Sequence, residues 1–526
     1  MACPKHAPQT GENRPRRWNA AGFLPFRLEV LTPVFVGTGE ELSPLDYVIR
    51  KEGREHVLYL ADCAGWLQAH AADPAIGAAL AEGDMLRLRR LLTEQLDEKL
   101  YGQARLPFTL PATAQELQKR ITDPRSNSKA EILPLPRSAV SGCAFLPGSS
   151  LKGALLTPLI DHLDNRRTAG QGDLRSATAA FRSGYTEALK KMFGDIGNHA
   201  MQALKVADIP LAPQATGIVA AREVRRAADP NKPGTPKPPC EALLPLADGS
   251  LLPYGSLHLD CRSGQPAVEL PGGEVLPWQR IGQLCNAFYG MRFLREWQTF
   301  YALPHLERVR QALQPIRARL ERLDPAREWL VRVGRYSHLE CMTVSRNAPE
   351  HKKGYGKTRT LADDTLPFGW VILHFCQKKE YEAGTRAVRE AAATAQHTRE
   401  QRRRAQEETL RDALQQQRLQ QEAAARMRAA AEEERLRREQ EAAAREARLA
   451  GLSPQERAIA ALSLPDADDQ TAQTLFQQLD ALEAPLQRQA AEALKAFWQA
   501  SGKWQGKQLS KKQKEKVARI RSLLGE

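Results

Sequence analysis

Three segments hold residue types suited to phosphate chemistry. The first is PGSSLKG, Pro147 to Gly153. Consecutive small residues let several backbone N–H groups point one way at a helix start, where partial positive charge attracts phosphate, and Lys152 adds a mobile cation. Ser149 and Ser150 are suited to cap that helix. The segment lacks the GxxxxGK[ST] spacing of a P-loop, and no acidic strand end for magnesium accompanies it, which disfavours ATP hydrolysis. Taken alone, it serves equally as a capped helix with a surface lysine. The second segment, TPVFVGTGEELSPLDYVI, sets Gly37 and Gly39 just past a strand and Ser43, Asp46 and Tyr47 just before another. Its glycines allow the backbone close to a sugar-phosphate chain. An ordinary hairpin turn, with Asp46 capping a backbone N–H, accounts for the same residues.

The third lies late in the chain, as VGRYSH at Val333 to His338 and HKKGYGKTRTL at His351 to Leu361. Lys352, Lys353, Lys357 and Arg359 surround Tyr355, a mixture of phosphate cations and a stacking ring that suits single-stranded RNA; a solvated loop is the plain alternative. His338 titrates in the range of a general base, but such a histidine is more often a hydrogen-bonding residue, and no second histidine stands at a useful spacing. A Ser149, His338 and aspartate triad is rejected because nothing local resembles a nucleophile elbow.

Composition narrows the partner. Lys and Arg number 76 against 62 Asp and Glu, a net charge of +14. A polyanion is favoured through counterion release, nucleic acid first and anionic membrane second. No apolar run approaches the roughly 20 residues of a spanning helix, so no membrane partner is expected. The eight cysteines form no CxxC pair, and no histidine cluster has zinc-finger spacing. No metal and no cofactor are expected. MACPKHAPQTGENRPRRW lacks the apolar stretch of an export signal, which predicts a disordered arm over residues 1–24 and a cytoplasmic chain with reduced thiols.

The elements that must position these segments follow from periodicity. FRLEVLTPVFV from Phe26 and VLYLAD from Val57 alternate as strands, and leucines and charges recur at helical spacing from Ala64 to Leu100. A proline-punctuated stretch runs from Pro107 to Pro147. DPNKPGTPKPP predicts a loop over 229–239, because proline and glycine deny it ladder donors and helix geometry. Strand-like pieces resume at Gly255 to Cys261. Helices are expected over Gln279 to Leu303 and Leu306 to Leu323, then strands in WLVRVGRYSHLE and FGWVILHF. The mixture predicts an α+β fold, with one domain over 25–228 carrying a helical insertion and another over 240–380. From Ala383 to Leu449 the chain is almost wholly Ala, Glu, Arg and Gln, with Glu and Arg three or four apart. That predicts a helix over 381–450, about 100 Å long at about 1.5 Å per residue, either solvated or a weak coiled coil. Apolar periodicity returns in a small helical bundle over 451–526, whose lysine-rich end, KWQGKQLSKKQKEKVARIRSLL, reads most simply as a solvated face, with nucleic-acid contact the alternative.

In order along the chain, LTPVFVGTGEELSPLDYVI, FLPGSSLKGALLTPL and GRYSHLECMTV, followed by KTRTL and PFGW, resemble the RAMP superfamily of CRISPR-associated proteins. Within it they resemble the family of the fifth Csm subunit of type III-A effector complexes. The resemblance covers about Phe26 to Phe375. It implies two RRM-like, ferredoxin-like RAMP domains and a place at the head of the backbone filament. It also implies contact with the 3′ part of the crRNA and support of crRNA maturation in antiviral defence, through host ribonucleases rather than by cutting. The partners implied are crRNA and the other Csm subunits. Carried onto this sequence, the contacts are Gly37, Gly39, Ser149, Ser150, Lys152 and Gly153. Arg335, Tyr336 and His338, with Lys352, Lys353, Tyr355, Lys357 and Arg359, complete the expected RNA surface. The expectation is thus a non-catalytic RNA-binding subunit. Two alternatives stand beside it: a metal-independent RAMP endoribonuclease using His338 or His351, and an adaptor acting through the C-terminal helix.

Overall fold

The computed structural model describes residues 22–122, 130–166, 193, 200–226, 234–245, 252–262, 265–271, 273–342, 356–464, 467–505 and 509–526. The expected N-terminal arm lies outside these residues as far as 21, and Phe23 already opens a strand. The chain divides into two compact units, Met1–Leu414 and Gln415–Glu526.

In the first unit, β1 (Phe23–Val30) is followed by β2 (Tyr47–Glu52), β3 (Glu55–Ala61) and β4 (Gly102–Pro107), the last three forming their own antiparallel sheet. Helices Cys63–Ala69, Pro74–Glu82, Met85–Gln95 and Glu98–Tyr101 fill the gap between β3 and β4, where leucines and charges recur at helical spacing. The first ends at Ala69 with His70 as its cap, Asp73 with Pro74 starts the next, and Gly83 closes that one in a left-handed cap before Asp84 starts the third. Next come β5 (Phe145–Leu146) and the Gly148–Arg166 helix, then β6 (Leu204–Val206), β7 (Ile209–Pro210), β8 (Thr216–Arg225) and β9 (Thr235–Leu243). Residues from Thr235 to Pro239, expected in a loop, are extended. β9 takes ladder bonds from β8 and stands last in its sheet, so Pro236, Pro238 and Pro239 sit where a missing N–H is tolerated. Residues 229–233 of that expected loop lie outside the described set.

The remainder of the unit supplies β10 (Tyr254–Arg262), β11 (Gln265–Glu269), β12 (Val275–Pro277), the Trp278–Thr299 and Glu307–Leu320 helices, β13 (Glu328–Arg332), β14 (Thr358–Ala362), β15 (Leu366–Pro367) and β16 (Trp370–Phe375). The central sheet runs β12-β11-β10-β1-β16-β13, with β6 also on β10, and a second sheet runs β15-β14-β8-β9. The named ladders are all antiparallel, as an α+β fold requires. Because β1 pairs with both β10 and β16, the two halves expected from the sequence share one sheet. Phe26 and Leu28 alternate into a core that also holds Trp329, Trp370 and Phe368. The Gly148–Arg166 and Trp278–Thr299 helices pack on each other, and the Tyr289 hydroxyl donates to the carbonyl of Ala154 at 2.8 Å.

FRLEVLTPVFV yields a shorter strand than its alternation suggested. β1 stops at Val30, Pro33 lacks a ladder donor, and the Thr32 hydroxyl accepts from the N–H of Trp370 at 2.9 Å. The GRYSH segment likewise leaves its strand at Arg332 and turns. The long helix occupies Lys378–Ala450 and ends before Gly451, as composition predicted. In the second unit, helices Pro454–Ala461, Asp469–Gln478, Ala484–Ala500 and Lys511–Leu524 surround a core that includes Leu475, Leu494, Trp498 and Ile520. Among the described residues, no helix is long and apolar enough to cross a membrane.

Candidate nucleic-acid interface

Two of the three sequence segments meet in space. After β1 the chain passes through buried Val34 and Phe35 and emerges as an exposed run from Gly37 to Glu41. Opposite it, β13 gives way to Gly334, whose φ of +92° only glycine adopts without strain. A Cβ there would lie 2.3 Å from the Phe35 carbonyl oxygen, so the two backbones touch because the residue is glycine. The N–H of Arg335 then donates to that same carbonyl at 2.8 Å. Arg335 itself is exposed, and its guanidinium lies 3.7 Å from where a Gly37 side chain would begin.

The turn is strained and held from below. Tyr336 and His338 have φ of +69° and +59°, uncommon outside glycine. Tyr336 packs its ring against Phe35 and Phe368, centroids 6.1 and 5.1 Å away, with the Arg335 guanidinium 5.7 Å from its face. Burial pushes the Tyr336 hydroxyl up to about 12, so it stays protonated. The Ser337 hydroxyl donates to the Gly334 carbonyl at 2.7 Å. His338 accepts from the N–H of Thr360 through Nε2 at 3.3 Å. Burial, helped by the Arg332 and Arg359 cations, pushes its imidazole down to about 3. His338 is therefore a neutral hydrogen-bonding residue.

Beneath the turn lies an ion network. Glu296 Oε1 accepts from Arg332 at 2.8 Å and from Arg359 at 2.6 Å, and Arg359 also reaches Glu340 at 3.1 Å. Burial alone would raise the Glu296 carboxyl, but the two guanidinium groups outweigh it and hold it at about 2. Arg359, expected on the RNA-facing surface, is 5% exposed and spends its charge inside the protein. The sequence hinted at this network only through Arg332, a cation between Val331 and Val333 at the end of the buried strand EWLVR. Its partner Glu296 comes from a distant helix and carries no local signal.

The PGSSLKG segment sits elsewhere. Its helix begins at Gly148, so Ser149 and Ser150 lie inside the first turn rather than capping it. The N–H of Gly148 donates to the Asp208 carboxylate at 2.7 Å, which puts a protein anion where phosphate was expected. Lys152 is no free cation either: Nζ donates to the Met201 carbonyl at 2.9 Å, and burial, with Lys205 nearby, lowers its pKa. Ser149 and Gly153 remain exposed on one face. Gly148 packs beside Ala207, whose N–H bonds Ser256, the β10 partner of Pro25. Arg335 stands beyond the other end of β1.

Asp46 accepts from the N–H of Ser43 at 2.7 Å, as an ordinary turn requires, and Tyr47 is buried with its hydroxyl on the Ala130 carbonyl. Lys357 is exposed next to β14, while Lys352, Lys353 and Tyr355 lie outside the described residues, as does His351. Among the described residues no group of His, Cys, Asp and Glu could hold a metal ion.

A family model described as the RAMP superfamily matches residues 27–236, the stretch that carries the Gly37–Gly39 loop and PGSSLKG. Among solved structures, the chain is similar to one in a cryo-EM structure of a Csm–crRNA–target RNA ternary complex in a type III-A CRISPR-Cas system. The two are 17% identical over 67% of this chain and 99% of that one, with a TM-score of 0.44, a likeness that assigns no role to any residue here. No curated protein matches.

Proposed function

We propose that this chain, a RAMP-superfamily protein by its residues 27–236, is a non-catalytic subunit of a CRISPR effector complex that holds RNA. Its RNA lies across the Gly37–Gly39 loop and the Gly334–His338 turn. The observation that carries the reading is Arg335, an exposed cation presented beside two exposed glycines by a turn whose own charges are neutralised underneath. Glycine on one side and a fixed guanidinium on the other suit a sugar-phosphate backbone. Lys357 extends the basic surface, and exposed Ser149 and Gly153 form a separate candidate patch for RNA or a neighbouring subunit. The finer reading follows the family resemblance: crRNA held near its 3′ end at the head of a type III-A Csm complex, in the cytoplasm, with trimming left to host ribonucleases. Purification from the native host with sequencing of the bound RNA tests it. Short RNAs sharing a 5′ tag, with CRISPR subunits alongside, are expected, and their absence overturns it.

The environment of His338 weighs against the endoribonuclease alternative. A base needs a free lone pair on an accessible nitrogen, and Nε2 already accepts from Thr360. A repeat-RNA cleavage assay decides between the two. Robust cutting abolished by His338→Ala with His351→Ala would replace the binding reading with the enzymatic one.

A further inference from the structure

The last helix, Lys511–Leu524, departs from the electrostatic habit of its unit. Elsewhere in residues 415–526 many cations meet acids. Arg435 pairs with Glu439, Arg437 with Glu441 and Arg488 with Glu492 along their own helices, and Lys503 pairs with Asp469 across the bundle; in the last helix itself, Arg519 pairs with Asp480, well past the first turn. Two of the preceding helices carry an acid in the first turn, Glu456 and Asp469, and the third has Glu483 at its N-cap, as the helix dipole favours. The last helix instead opens on Lys511, Lys512 and Lys514 with no acid in its first turn. All three are exposed, and among the described residues none is in an ion pair. From Lys503 to Arg521 the only acid in the sequence is Glu515, whereas residues 451–502 carry more acids than bases.

A solvated helix face normally intersperses both signs, as residues 432–441 do here. A single-sign cluster that also opposes the helix dipole is stabilised by a partner that brings negative charge. Three classes of partner compete. A membrane needs an apolar face to insert, but Val517 and Ile520 of this helix are already buried in the bundle core. A protein interface is anchored by aromatic or apolar side chains and is depleted in lysine, while the tryptophan beside this helix, Trp504, is only 4% exposed. Lysines on flexible stems, without an exposed ring among them, match a phosphate backbone taken by charge.

We propose that Lys511, Lys512 and Lys514 form a second RNA-binding surface, which holds the sugar-phosphate backbone without reading sequence. It lies in the second unit, beyond the region on which the reading above rests, and stands or falls separately. The test compares full-length protein with a Lys511→Gln, Lys512→Gln, Lys514→Gln variant. Glutamine keeps helix propensity, and circular dichroism checks that the helix content is retained. Affinity for a mixed-sequence single-stranded RNA is measured over a salt series, alongside Arg335→Ala. The triple variant is expected to bind several-fold more weakly, with a log affinity against log salt slope shallower by about two, because each phosphate left without its lysine flattens that slope by about 0.7. A second RNA of unrelated sequence should weaken by the same factor. An unchanged slope and affinity overturns the proposal, whatever Arg335→Ala does. Unchanged RNA binding with abolished capture of phosphatidylserine vesicles overturns it in favour of a membrane surface. Failure of the core reading shows differently: Arg335→Ala is then silent while the triple variant still weakens binding.

Discussion

Arg359 donates to Glu296 and Glu340 in the interior, so truncating it would leave the buried Glu296 with one guanidinium instead of two. Because Arg332 stays on Glu296, the cost falls below the about 3–5 kcal/mol of a buried charge left without any partner and nearer the about 1.5–3 kcal/mol of a lost charged hydrogen bond. Arg359→Ala is expected to lower the melting temperature by several degrees. Arg335→Ala should leave it unchanged but reduce RNA affinity and make the salt slope shallower by about 0.7, the amount for one single-strand phosphate. Thermal melts and RNA titrations of the two variants separate the roles, and the idea fails if the effects are exchanged. His338 adds a pH dependence. Its pKa is lowered in the folded protein to about 3 from an ordinary value near 6.5, so the unfolded chain takes up the proton first. Its contribution is complete above about pH 6.5 and is lost as pH falls toward 3, with a slope of at most about 1.4 kcal/mol per pH unit. Glu296 also has a depressed pKa, and its contribution is lost lower down, as pH falls from the ordinary carboxylate range toward 2. Asparagine tolerates the left-handed φ at position 338 and offers an acceptor to Thr360. His338→Asn is therefore expected to flatten the decline in melting temperature between pH 6.5 and 4. An unaltered decline would place its origin in other groups.

The helix from Gly148 is the element whose role changed most between sequence and structure. Asp208 accepts from the first N–H and Lys152 is tied to Met201, so the segment's polar groups join two parts of the protein. Lys152→Gln should weaken that junction by about 1–3 kcal/mol, the range for a buried acceptor left unpaired, and leave RNA affinity as it was. A large affinity loss at unchanged stability would restore the phosphate-cradle reading. What made the helix legible was local: small residues, then apolar residues at helical spacing. Its occupied N-terminus was illegible because Asp208 lies across a long sequence gap. The same division holds elsewhere. Asp62, Asp73, Asp84 and Asp97 each accept from a backbone N–H at a helix start, a pattern present in the sequence, yet leucine spacing through Ala64 to Leu100 masked the breaks. Gly37, Gly39, Arg335 and Tyr336 were identifiable as residues. Their meeting depends on Gly334 touching Phe35, a long-range approach that no local pattern encodes.

At the scale of the molecule, composition marked the long helix from about Ala383, but the boundary between compact units falls inside it, after Leu414. The reason lies in what its first turns touch. Tyr381 packs edge-on against Phe23, Val388 is 5% exposed, and Arg399 donates to the Ala139 carbonyl at 2.9 Å. Farther along, Arg402 reaches the Lys99 carbonyl, while Gln406 bonds both Asp62 and the Leu100 carbonyl. From Gln415 to Ala450 the helix has mostly its own i,i+4 ion pairs, worth only about 0.3–0.5 kcal/mol each. Two truncations should therefore behave differently. A chain ending at Leu414 is expected to keep the melting temperature of the first unit and its core RNA binding. One ending before Ala383 removes the apolar and hydrogen-bonding partners of Asp62, Ala139 and Leu100. It should melt lower, and hydrogen exchange should rise at the Cys63–Ala69 helix and at β4, which lie beside the vacated surface. If both chains melt alike, the segment up to Leu414 rests on the first unit without stabilising it, and the whole of the helix would then be separable from the core proposed to hold RNA.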